Sequence, residues 1–167
     1  MHPAMLDDDA LYRQCTAIKG RSSGPGGQHR NKVETKVTLR HEPTGIEAQA
    51  SERRSAEENR RMALRRLRLA LAVRLRAPVP MGEARSQLWR SRCSDSGRIS
   101  CNPDHHNYPA LLAEALDMLH ACSLDARKSA IRLSCSATQL VRLIKDHPPA
   151  LAEVNRERAI RGLHPLR

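Results

Sequence analysis

Near residue 51 the spacing of the apolar residues changes period. Thr35, Val37 and Leu39 alternate with Lys36, Thr38 and Arg40, and Ile46 to Ala50 alternates again. A period of two is that of a half-buried strand. Pro43-Thr44-Gly45 supplies turn chemistry between them, so the strands Thr35 to His41 and Ile46 to Ala50 form a hairpin. Ser55-Ala56-Glu57-Glu58 is then a capping box, with Ser55 capping and Glu58 reaching back. A helix follows to about Arg76, with Leu64, Leu67, Leu71 and Leu75 on one face. These leucines are core against the small sheet, and Arg60, Arg61, Arg65, Arg66 and Arg68 lie elsewhere on the helix, free for phosphate. Phe is absent and Trp occurs once, so the core must be Leu, Ala and Val. Stacking on aromatic rings, the usual grip on single-stranded bases, is largely unavailable.

Upstream of the hairpin, Asp7 to Gln14 is expected to be a short helix, with Asp residues near its positive end. Cys15 to Lys19 is a strand leading into a glycine-rich loop, Arg21 to Gln28, and His29 to Glu34 is one helical turn. The loop belongs to the string Ser22-Ser23-Gly24-Pro25-Gly26-Gly27-Gln28-His29-Arg30-Asn31-Lys32. Two adjacent glycines reach backbone angles barred to other residues and let another molecule come close to the chain. Gln28 then offers one backbone N–H and one uncharged amide, which suits a loop that enters a crowded site and aligns a neutral nucleophile. A bare Gly-Gly-Gln would arise by chance in a chain this size on the order of a few per cent of the time; the longer string is far more specific.

That string resembles the catalytic domain of class I peptide-chain release factors and of the small codon-independent rescue factors related to them. The resemblance extends through Val37-Thr38-Leu39-Arg40-His41, Pro43-Thr44-Gly45, Ile46, Ser51-Glu52-Arg53-Arg54-Ser55, Asn59 and Ala63, covering roughly residues 12 to 76. It implies hydrolysis of the ester between a peptide and the terminal adenosine of tRNA, with water as nucleophile. Gly26, Gly27 and Gln28 are the implied catalytic residues: the Gln28 N–H faces the charge developing on the carbonyl oxygen, its side chain shapes a pocket for water, and the glycines hold backbone where a side chain would not fit. The remaining groups around the ester come largely from ribosomal RNA and tRNA, so His29 is not needed as a base. Arg21, Arg30, Lys32, Arg53, Arg54, Arg60, Arg61 and Arg65 are the candidate RNA-binding residues, Arg53 and Arg54 serving either binding or bracing. Ser23, Gly24 and Asn31 brace the loop. The implied partners are the ribosome at its peptidyl-transferase centre, rRNA and peptidyl-tRNA.

Charge agrees with such partners. The net charge is +11, and residues 1–80 hold 16 Lys and Arg against 9 Asp and Glu, a net +7. A basic surface reports either a polyanionic partner or a solvated Arg-rich face; beside the glycine string, RNA is the better reading. Five cysteines, Cys15, Cys93, Cys101, Cys122 and Cys135, with no Cys-x-x-Cys, argue for reduced thiols rather than a disulfide framework. Cys93, Cys101, His105 and His106 fit no common zinc spacing, so no metal or cofactor is expected. Neither an apolar run long enough to cross a membrane nor a basic leader before an apolar segment occurs; the expectation is a cytoplasmic monomer.

The fold class expected is α+β: a small mixed or antiparallel sheet with the glycine loop and long basic helix over residues 1–76, a linker over 77–107, and an α-helical module over 108–167. Ala77-Pro78-Val79-Pro80-Met81-Gly82 breaks the helix. A turn at Ser96-Gly97 and a short strand at Arg98 to Cys101 are expected next. Pro109 opens a helix carrying Leu112, Ala115, Leu116 and Leu119, and helices follow at Ala126 to Leu133, from Ser136 through Lys145, and from Pro148-Pro149 through Arg161. Residues 130–143 have the apolar spacing of a helix-turn-helix, with Ser134 where glycine is common. The second helix either docks on nucleic acid or belongs to an ordinary helical packing module.

Stop-codon-reading factors carry a separate decoding domain before the catalytic one. Here about fourteen residues precede the first strand, so codon recognition is not expected. Some small rescue factors end in a flexible basic tail; the segment Arg161 to Arg167 has no Lys/Arg run, which counts against an empty-channel mechanism. The function read from the sequence is codon-independent hydrolysis of peptidyl-tRNA on stalled ribosomes or large subunits. The alternative is a non-enzymatic RNA- or ribosome-binding protein that retains the fold.

Overall fold

The structure, a computed structural model, describes residues 1–20 and 35–167. The expected glycine-rich loop and the helical turn after it fall on residues 21–34, outside the described residues. The chain divides into two compact units: a sheet unit, Leu6–Leu71, and a helical unit made of Met1–Met5 and Ala72–Arg167.

In the sheet unit, helix α1 (Asp8–Arg13) begins at Asp7, whose carboxylate accepts from the Ala10 N–H at 2.7 Å. Strands β1 (Cys15–Gly20), β2 (Lys36–His41) and β3 (Ile46–Ala50) form an antiparallel sheet in that order. The register pairs Gly20 with Lys36, Ile18 with Thr38, and His41 with both Cys15 and Ile46. Alternation in β2 works as the period-two spacing requires: Val37, Leu39 and His41 are buried, while Thr38 is half-buried and Arg40 exposed. The hairpin turns at Gly45, whose φ of +68° is a conformation that favours glycine. His41 is buried with both ring nitrogens engaged, one by Thr44 Oγ1 at 2.8 Å and the other by Gln14 Oε1 at 2.9 Å.

Helix α2 (Ala56–Arg74) starts where the capping box placed it, with Ser55 Oγ accepting from the Glu58 N–H at 3.4 Å, but the expected return bond from Glu58 to the Ser55 N–H is absent among the described residues. Ala63, Leu64, Leu67 and Leu71 are buried; Leu75, expected on the same stripe, lies past the helix end and is half-buried. Each fully buried leucine contributes about 1.5–3 kcal/mol, more than an exposed ion pair on the opposite side.

In the helical unit, α4 (Tyr108–Ala121) is buried on all sides from Tyr108 to Leu119, the pattern of a central helix. Around it stand α3 (Gln87–Arg92), α5 (Ala126–Arg132), α6 (Ala137–Lys145) and α7 (Pro148–Ile160). Two buried carboxylates on α4 anchor the segment before α3. Asp117 accepts from the Ala77 N–H at 3.0 Å, and Glu114 accepts from the Ser86 N–H at 2.7 Å and its hydroxyl at 2.6 Å. Burial pushes both carboxyls up, Asp117 to about 6.

The stretch expected as a linker supplies the largest side chain of this core. Trp89 on α3 is fully buried and its indole N–H donates to the Leu133 carbonyl at 2.9 Å. The division between units falls inside α2, after Leu71, rather than at residue 76. The strand expected at Arg98–Cys101 is reduced to one bridge between Cys93 and Ile99. At the chain's end the tail is tied back: the Asn155 side chain exchanges two hydrogen bonds with the Leu166 backbone, and Arg158 donates to the His164 carbonyl.

Candidate functional site

The described residues form the mount of segment 21–34. The described residues on either side of it pair, Gly20 with Lys36, so the two strands that it joins are antiparallel neighbours. β1 is an edge strand with Thr16 to Lys19 exposed, and Ile18 is 55% exposed.

A single side chain braces the returning end. Asn59, fully buried in the first turn of α2, donates to the Thr35 carbonyl at 2.6 Å and to the Arg53 carbonyl at 2.9 Å, and accepts from the Arg53 N–H at 2.9 Å. One amide thereby ties the residue just before β2 to the loop that leads into α2. Polar groups in such a place must be satisfied or they cost the fold, and every bond here is to backbone. Asn59 had been singled out only as part of the family pattern. The signal for its role was a polar residue four positions before Ala63 and eight before Leu67, on the apolar stripe.

Gly26, Gly27 and Gln28, the flanking Arg21, Arg30 and Lys32, and the bracing candidates Ser23, Gly24 and Asn31 all lie outside the described residues. The other candidates differ sharply from one another. Arg53 and Arg54 are exposed just before α2, and the backbone of Arg53 is the part held by Asn59. Arg60 sits 4.8 Å over the Tyr12 ring and donates to both carboxylate oxygens of Glu57, at 2.8 and 2.7 Å. Arg61, 75% exposed, shares Glu57 at 3.1 Å. Both arginines hold the Glu57 carboxyl down to about 2, Arg60 the more strongly. Arg65 is half-buried.

The expectation that Arg66 and Arg68 stand free for phosphate is corrected by their partners. Arg66 donates to the Gln49 carbonyl of β3 at 2.7 Å and to Glu52 at 2.6 Å. Arg68, with 10% of its side chain exposed, pairs with Asp8 at 3.0 Å. Among the residues described, exposed cationic side chains here include Lys19, Arg53, Arg54 and Arg61, the last sharing Glu57. Among those residues no group of three or more His, Cys, Asp and Glu could hold a metal ion, and no helix is long and apolar enough to cross a membrane.

Comparison with known proteins gives this arrangement a context. The family model described as RF-1 domain matches residues 14–100, just over half of the chain, and the match takes in β1, the segment 21–34, β2, β3 and α2. An uncharacterized mitochondrial peptide chain release factor-like protein of Saccharomyces cerevisiae is 60% identical over 62 residues, which is 36% of this chain and 38% of the relative. Peptide chain release factor 1 of Xylella fastidiosa is 32% identical over 134 residues, 74% of this chain and 36% of the relative. Peptide chain release factor 2 of Buchnera aphidicola is 33% identical over 122 residues, covering 62% of this chain and 32% of the relative. The chain thus spans about a third of the length of these relatives. With the matched region running from the strand before the Gly-Gly-Gln string through the hairpin and the whole of α2, the chain belongs to the peptide-chain release factor family.

Proposed function

We propose that this chain hydrolyses the ester of peptidyl-tRNA on the large ribosomal subunit without reading a codon, acting on stalled ribosomes or split large subunits. The observation that carries the reading is the intact Gly26-Gly27-Gln28 inside its eleven-residue string, in a release-factor chain whose strands β1 and β2, on either side of that segment, pair with each other. The proposed catalytic part is the sheet unit.

In the reaction, water adds to the ester carbonyl and the peptide–oxygen bond breaks. The 3′-oxygen of the terminal adenosine leaves with a proton, giving free tRNA and a peptide carboxylic acid. Negative charge builds on the carbonyl oxygen in the tetrahedral state. One preorganised N–H aimed at that oxygen is worth about 2.7–4 kcal/mol, and the Gln28 backbone supplies it. The Gln28 amide orients the water. Gly26 and Gly27 let the backbone approach tRNA closely. Arg53, Arg54, Arg61 and Arg65, with Arg21, Arg30 and Lys32, contact RNA phosphates; Arg60 braces α2 on α1. One relative is named as mitochondrial, and the same chemistry serves a bacterial or an organellar ribosome, so the proposal is framed for the ribosome rather than for the cytoplasm.

The test is peptide release from ribosomes carrying peptidyl-tRNA, with and without mRNA in the A site. Release in both is expected. Gly27→Ala should abolish it while ribosome binding persists, because affinity comes from scattered cations; release above about a tenth of wild type would remove the segment from catalysis. Gln28→Ala should be milder, since its backbone N–H survives. Ribosome binding by the wild-type chain with no release would make it a non-enzymatic binder.

A further inference from the structure

The helical unit carries a second charged surface that the release reaction does not use. α5 and α6 are joined by Leu133 to Ser136, and Ser134 stands at a φ of +50°, the left-handed position that glycine commonly fills in such turns. α6 buries Leu140, Leu143 and Ile144 and leaves Thr138, Arg142 and Lys145 exposed. A hairpin lies against its start. The Ser136 N–H donates to the Gly97 carbonyl at 3.1 Å, and Gln139 Oε1 accepts from the Ile99 N–H at 3.3 Å. The fit is close: a Cβ on Gly97 would stand 3.0 Å from Ser136 N. Arg98, exposed between those two contacts, is thereby fixed beside the first turn of α6. Arg142 lines a shallow cleft with Ile99, Cys101, Gln139, Leu143 and Asp146, so it borders the hairpin residue next to Arg98, and Lys145 follows three residues on.

These three cations contrast with several others in the same unit, although Arg90, Arg127, Lys128, Arg161 and Arg167 are exposed as well. Arg156 pairs with Glu153, Arg85 with Glu83, Arg132 donates to the Pro80 carbonyl, and Arg158 to the carbonyls of Leu124 and His164. Among the described residues no hydrogen bond or ion pair engages the side chains of Arg98, Arg142 and Lys145. Two exposed cations on α6, Arg142 and Lys145, and a third on the adjoining hairpin, Arg98, outnumber the one acid in the cleft, Asp146, and are complementary to a phosphate backbone.

The aromatic residues decide which kind of backbone. Single-stranded nucleic acid is gripped by stacking bases on exposed rings. Here Trp89 and Tyr108 are buried and Tyr12 lies beneath Arg60, and the chain has no other Trp, Tyr or Phe. A duplex needs no such rings. In A-form RNA the major groove is too deep and narrow for a helix, so recognition runs through phosphates and 2′-hydroxyls.

We infer that α6, flanked by the Arg98 hairpin, docks on the phosphate backbone of double-helical RNA and so serves as a second contact for the chain. The choice of RNA over DNA rests on the ribosomal reading; the surface itself does not.

The experiment uses the full chain, a free RNA hairpin with a stem of about 16 base pairs, the matching DNA duplex and the unpaired strand. Arg142→Glu with Lys145→Glu is compared with Arg161→Glu with Arg167→Glu, which changes the net charge equally on exposed residues elsewhere in the unit. The first pair should weaken duplex-RNA binding by at least about tenfold and make the log–log salt slope shallower by about 2, one phosphate contact contributing roughly 0.9. The second should change affinity less than about threefold. Both should melt like wild type, and release at saturating protein should be unchanged in the first. Equal losses in the two pairs, or none in the first, would make α5–α6 an ordinary packing module. Tighter binding to the unpaired strand or to DNA would overturn the assignment to duplex RNA. Because free RNA replaces the ribosome, a failure of the release reading leaves these outcomes legible on their own.

Discussion

Asn59 shows how much one amide can hold. Its NH2 group donates to two carbonyls and its oxygen accepts one N–H, all within the sheet unit. Asn59→Ala leaves three backbone groups to find water in a closed space, at about 1–3 kcal/mol for each that fails. Asn59→Asp preserves shape and volume yet replaces two donors with an oxygen facing the Thr35 and Arg53 carbonyls. Equilibrium unfolding should show Asn59→Asp destabilised at least as strongly as Asn59→Ala. A near-neutral Asp variant would mean that shape, not donation, is what the site requires. A sequence displays the residue type and its place on the stripe. It does not display which distant carbonyl, here one 24 residues away, the side chain will meet.

At the scale of elements, α2 was the most legible part of the chain. Its cap, length and buried leucines follow from local spacing. What its arginines do does not, because their partners come from elsewhere in the chain: Asp8 for Arg68, and Gln49 with Glu52 for Arg66. Alike in sequence, the residues separate into bracing and exposed groups only once the sheet and α1 are in place. Two single substitutions express the difference. Arg66→Gln should lower the unfolding midpoint with little change in the salt dependence of ribosome binding. Arg61→Gln should leave the midpoint alone and make the salt slope shallower by about 0.7–0.9, the loss of one phosphate contact. The same effect on both from either variant would erase the distinction. The stretch 77–107 was least legible for a related reason. It is polar and broken by proline, and its order comes from one Trp and from two carboxylates that sit on α4.

Across the whole molecule, the buried acids make the helical unit respond to pH. Asp117 rises from an ordinary 3.8 to about 6, chiefly through burial, which outweighs the Ala77 N–H and the nearby Arg76. A carboxyl raised on folding gives its full stabilisation below its unfolded value, and that contribution is lost as pH climbs through 6. Asp117→Asn keeps an oxygen for the Ala77 N–H and has no charge to bury. It should raise the melting temperature at pH 8 by about 2–8 °C, the shift that roughly 1 kcal/mol produces in a unit or chain of this size, and leave it unchanged at pH 4. A fall at pH 8 would show that Arg76 holds the ionised acid after all. The melting of the two units can be told apart without any label. Trp89, the chain's sole indole, lies wholly inside the helical unit, so tryptophan fluorescence follows that unit alone, whereas far-ultraviolet circular dichroism sums over both. If the two signals do not superimpose on heating, the sheet unit and the helical unit unfold as separate thermodynamic bodies, and the chain's own optics report it.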